Sequence, residues 1–164
     1  MMYPWVVFLH VLGAFGFLMA HGVSTAVVLQ LRNEQEIERV KVLLDLSQRS
    51  LIGMYIFLLV LLASGILAGF MGNWWGQWWI WVAIGILIAV SALMYPLSSQ
   101  GLGRVRKVAG LPYAEGRTYD NPPLPPGTPE ELAAAVASVR PWEMLGIGVA
   151  AIVIITWLMM FKPF

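Results

Sequence analysis

Four runs of about twenty apolar residues, each nearly free of charge, constrain this chain more than anything else in it. They span residues 4–31, 51–72, 78–97 and 144–161. A run of that length matches the hydrocarbon thickness of a bilayer when it is helical. Buried backbone polar groups must then be satisfied within each helix. The expected fold is all-α, a bundle of four transmembrane helices forming one integral membrane domain over residues 1–164. Composition agrees, with 12% charged residues where a soluble domain carries about 25%. The first run is long and lacks a charged n-region and a cleavage site, so it reads as a retained span.

The charges set the expected topology. Nine of the ten basic residues fall in two loops, 32–50 and 98–143, and only Lys162 lies outside them. All nine acidic residues are in the same loops. The positive-inside rule makes both loops cytoplasmic and both termini external, in a multi-pass protein of the cell membrane. The "NWWGQWW" turn between the second and third spans is an interfacial aromatic belt on the opposite side. Tyr55 and Tyr95 read as interfacial anchors, and Glu143 as a helix-start acid. A net charge of +1 gives no footprint for nucleic acid, and the absence of cysteine removes disulfides and thiolate chemistry.

Local structure is expected in the loops. Asn33 followed by Glu36 resembles a capping box. Ile37, Val40, Leu43 and Leu44 then recur at helical spacing, predicting a cytoplasmic helix that leads into the second span. "GRVRK" (103–107) forms a basic collar suited to headgroups. The "NPPLPP" run favours extended chain. Thr128, Pro129 and Glu131 mark the start of a short helix over 129–139 on the inner membrane surface. Gly65 and Gly69 of "GILAG" form a small-xxx-small packing motif.

The candidates for chemistry are His10 and His21, the two histidines of the chain, both inside the first apolar run. Ionisable residues at such depth are costly and mark functional positions. Eleven residues on a straight helix bring the second imidazole within about 20° of the first, some 16 Å further along the axis. Gly13, Ala14, Phe17, Ser24 and Thr25 share that face, a small and polar stripe of the kind that admits another backbone or a cofactor. Two stacked ligands suggest two redox centres, one near each leaflet.

This arrangement resembles the four-helix b-type membrane cytochromes in size, span number and stacked histidines. That resemblance implies haem b, with His10 and His21 as axial ligands, Gly13 and Ala14 clearing space for the porphyrin, and Phe17 between the centres. Such cytochromes normally supply four histidines. The missing ligands could come from a parallel homodimer that pairs each histidine with its mate, or from methionine, with Met159 or Met160 near the depth of His10 and Met94 near that of His21. Five-coordinate iron is the third option. The opening "LHVLGA" also resembles an uncharacterised family of small four-span integral membrane proteins with an LHxxGA-like first span. Similar openings occur in copper-resistance type membrane domains and in small haem-containing protoporphyrinogen oxidases, where a first-span histidine corresponds to His10. Those oxidases use a lysine in a second role, and no span here holds one, so the resemblance implies a haem or metal ligand at His10 without a particular reaction.

Two other functional classes compete. In an accessory or structural subunit of a larger membrane complex the histidines would only pack. A metal-ion permease would need polar residues along a path, and spans two to four offer few, namely Ser64, Ser91 and Thr156. The expected partners are therefore lipid and either a second copy of the chain or other membrane subunits.

Overall fold

The computed structural model describes residues 2–115 and 118–163. Its elements in chain order are α1 (Tyr3–Leu31), α2 (Ile37–Met71), α3 (Trp78–Val108), a hairpin of β1 (Tyr113–Glu115) and β2 (Thr118–Asn121), α4 (Pro129–Ala137) and α5 (Pro141–Phe161). A single 3₁₀ turn, Trp74–Gly76, joins α2 to α3. Four helical stretches, with α4 and α5 taken as one, are long and apolar enough to cross a membrane. The chain is thus a multi-pass membrane protein by the length and apolarity of its helices.

Several expected boundaries move. No helix breaker lies between Ile37 and Leu51, so the cytoplasmic helix and the second span form one uninterrupted α2. Helix start falls at Ile37, and Asn33 and Glu36 form no capping box. Instead the Glu34 carboxylate accepts the backbone N–H groups of Gln35 and Glu36, both at 3.1 Å. α3 likewise runs past its expected end at 97, through Pro96, to Val108. A proline removes one donor, here the partner of the Ala92 carbonyl, while the turns on either side keep their own bonds. The β-hairpin was not foreshadowed. It pairs Tyr113 with Asn121 and Glu115 with Thr118 across a register irregularity.

α4 begins as expected. Thr128 caps it, its hydroxyl accepting from Glu131 N–H at 3.3 Å while the Glu131 carboxylate accepts from Thr128 N–H at 2.8 Å. The helix ends at Ala137, two residues early, and its apolar face is spent on protein. Leu132, Ala135 and Val136 pack with Val27 and Leu31 of α1, Val40 and Leu44 of α2, and Val105 of α3. Leu31, Val40 and Val105 are wholly inaccessible. This core sits at the basic end of the molecule. Gly103 lets the hairpin approach it, since a Cβ there would stand 2.7 Å from the Ala114 carbonyl oxygen.

At the opposite end the aromatic turn gathers the helix ends. Trp74 Nε1 donates to the Tyr3 hydroxyl at 3.2 Å, and the Lys162 ammonium lies 3.9 Å from the centre of the Trp74 ring. Trp79, Ile80, Ala83 and Leu158 form a second, smaller core between α3 and α5. Between these ends α1 packs along α2, and α3 packs along α5. Contact between the two pairs is sparse.

Candidate functional site

Two close approaches build the seam between α1 and α2. A Cβ on Gly13 would stand 2.8 Å from the backbone nitrogen of Leu61, and one on Gly16 would overlap the Phe57 ring. Each glycine removes the atom that would hold the backbones apart. His10 belongs to this seam. Its ring lies over Gly65, where a Cβ would come within 2.8 Å of Cε1, and its Nδ1 is 2.9 Å from the Leu61 carbonyl oxygen. A carbonyl can only accept, so Nδ1 carries the proton and Nε2 keeps the lone pair. Histidines that ligate metals are commonly oriented by such a bond, and so are histidines that merely pack.

His21 has different neighbours. A Cβ on Gly148 of α5 would lie 3.8 Å from its Nε2 and 3.6 Å from the terminal methyl of Met94 on α3. The imidazole therefore faces the gap between the helix pairs. Phe17 stacks against it, the ring planes 2° apart and the centroids 5.9 Å apart. One turn on, the Thr25 hydroxyl donates to the His21 carbonyl at 3.1 Å. Ser24 turns back to α2, its hydroxyl 3.2 Å from that of Ser47 and 2.8 Å from that of Ser50.

The seam explains why two histidines expected on one face meet different helices. His10, Gly13, Gly16, Ala20 and Ser24 all face α2. At 100° per residue the last four fall about 40–120° to one side of His10, and His21 falls about 20° to the other. His10 is thus one edge of the seam, and His21 lies beyond it.

The other expected site residues divide between the two environments. Room at Gly13 is taken by the backbone of α2, and Ala14 is half-buried beside it. Met94 comes to the His21 level as its depth suggested. Met159 packs into the small core with Trp79 and Leu158, and Met160 is 72% exposed. Gly148 was missed, although the "GIGVAA" run in α5 carries the same small-residue signal read in α1. Leu61 was unreadable, because its contribution is a carbonyl that any residue has.

Polar residues in the spans bond mostly to their own helices. Ser64 donates to the carbonyls of Val60 and Leu61, and Ser91 to that of Leu87. Among the described residues no three histidine or acidic side chains gather where they could hold a metal ion. No family model, no curated protein and no solved structure matches the chain.

Proposed function

We propose that the protein is a membrane haem b protein that carries electrons across the bilayer, with His10 and His21 as axial ligands at two depths. The observation that carries this reading is the approach of His21 Nε2 and Met94 to the same missing side chain at Gly148, between the helix pairs. Imidazole and thioether are an established ligand pair for haem iron. Bound there, haem would supply a one-electron redox centre within an otherwise redox-inert apolar helix set. The chain's own contributions are specific. Phe17 holds the His21 ring by stacking, Gly148 leaves space on the α5 side, and Leu61 fixes the His10 tautomer with Nε2 available. At the His10 level α2 already fills the space beside Gly13, whereas at His21 the α5 side presents only Gly148. A homodimer could complete the ligation of His10 from a second copy.

The reading is tested by the visible spectrum of the purified protein. Haem gives a Soret band and sharp reduced α-bands. His21→Ala should remove the centre beside Met94, and His10→Ala the other. Met94→Leu should keep the His21 haem but move its midpoint potential and α-band. A folded, colourless protein overturns the proposal.

A second reading is favoured by His10 itself. Its ring fills the Gly65 notch and its Nδ1 proton is satisfied, which is all that a packing histidine requires. In that reading the chain is a non-catalytic subunit of a larger membrane complex. Full retention of structure without pigment supports it, together with a loss of α1–α2 stability in His10→Ala.

A further inference from the structure

The described basic residues of the two charged loops fall into two groups. Five of them have carboxylate partners: Arg39 with Glu36, Lys41 with Glu38, Arg106 with Asp45, Lys107 with Glu115, and Arg140 with Glu143. Arg106 is held further by the Pro112 carbonyl at 2.7 Å. Among the described residues Arg32, Arg49 and Arg104 have no such partner, and all three are exposed. The basic collar of the sequence is therefore not one surface. Arg106 and Lys107 are spent on the protein, and Arg104 is left over.

Of the three unpartnered arginines, Arg49 and Arg104 lie within about 40 Å of the aromatic end, against about 44 Å for Arg32 along α1. From Met71, at the aromatic end of α2, back to Arg49 is about 33 Å of helix, and from Trp78 to Arg104 along α3 about 39 Å. A hydrocarbon layer is about 30 Å thick, and about 40–45 Å with its headgroups. With the tryptophans at one interface, both arginines reach the headgroup layer of the other. Arg106 also bonds toward Leu44 and Asp45 on α2, which puts Arg104 and Arg49 within about a turn of each other in depth. Arg49 interrupts an exposed apolar stripe of α2 that includes Leu46, Ile52, Ile56 and Leu59. A cation set in such a stripe extends its head to the nearest polar layer. What it meets there is phosphate, for which the guanidinium fork is suited.

We propose that Arg49 and Arg104 bind the phosphates of anionic phospholipids in the leaflet at the basic end. The test uses the full chain in nanodiscs of phosphatidylcholine, alone or mixed with phosphatidylglycerol, read by the thermal unfolding midpoint. The anionic lipid should raise the wild-type midpoint by about 5 °C. The double variant Arg49→Gln/Arg104→Gln should lose that gain and keep the wild-type midpoint in phosphatidylcholine. Arg106→Gln should lower the midpoint in both lipids and keep the gain. The assignment is overturned if wild type gains nothing, if the double variant keeps the gain, or if inorganic phosphate in phosphatidylcholine reproduces it. Should the double variant fail to fold, each single variant is read by native mass spectrometry. Loss of one retained phosphatidylglycerol in each supports the proposal, and unchanged retention overturns it.

Discussion

The basic end and the middle of this molecule are built on different principles. At the basic end, apolar side chains from α1, α2, α3 and α4 meet in a core with residues as closed as any in a soluble domain. Leu44 and Val105 lie about 40 Å from the aromatic end, past the roughly 30 Å of a hydrocarbon layer, so burying them there draws on the hydrophobic effect. In the middle, the same residue types face outward: Leu59 is 69% exposed, Phe15 62% and Ile88 63%. Lipid tails are as apolar as leucine, so no such force drives those helices together. Association has to come from close fit and from polar contacts, and the α1–α2 seam has both. Gly13 and Gly16 bring the backbones close, while His10 and the Ser24–Ser47–Ser50 hydroxyls link them.

The largest expected effect tests that difference directly. Leu44→Ala should cost about 3 kcal/mol, while Leu59→Ala, on lipid, should cost less than about 1 kcal/mol. Denaturant unfolding in micelles compares them, and equal losses would erase the distinction between the two regions. Next comes the seam. Gly13→Val places a branched side chain against the Leu61 backbone and should cost about 2 kcal/mol by overpacking. The same assay reads it, and a neutral result would mean that α1 and α2 do not touch there. Thr128→Ala removes half of the α4 capping box, with an expected loss of about 1 kcal/mol. Faster amide exchange in α4, with α1 near Gly13 unchanged, would confine that effect to the basic end. The smallest effect is expected at the aromatic end. Lys162→Gln loses a cation–π contact with Trp74, worth about 0.5 kcal/mol, and tryptophan fluorescence reports whether the turn repacks.

Sequence carried the hydrophobic pattern well and the interruptions poorly. The four apolar runs were legible because a run of about twenty apolar residues satisfies its backbone in lipid by forming a helix. Thr128 and Glu131 were legible because a cap is a local device. Two helices were read too short. The third span was expected to end at 97, yet α3 runs on to Val108. The helix expected before Leu51 joins the second span without a break, since nothing between them interrupts a helix. The hairpin at Tyr113 is too short to show alternation. For the site, the spacing of His10 and His21 gave their depths, but which neighbour each meets depends on the side of α1 against which α2 lies. That comes from the partner helix, and a single helix read alone does not contain it. Splitting Arg104 from Arg106 was also out of reach, since it depends on where α2 places Asp45 and the Leu44 carbonyl.

The core at the basic end also imposes an order on assembly. Its side chains come from four helices, and the last of these, α4, lies beyond residue 128. As the chain is made, α1 and α2 can zip along their glycine seam soon after both have emerged, because they are close in sequence. The core cannot close until the first three long helices are in place and the proline-rich segment has led α4 back to them. Until then the basic ends of those helices leave apolar side chains uncovered, and that interval is when the nascent protein is most exposed to aggregation or quality control.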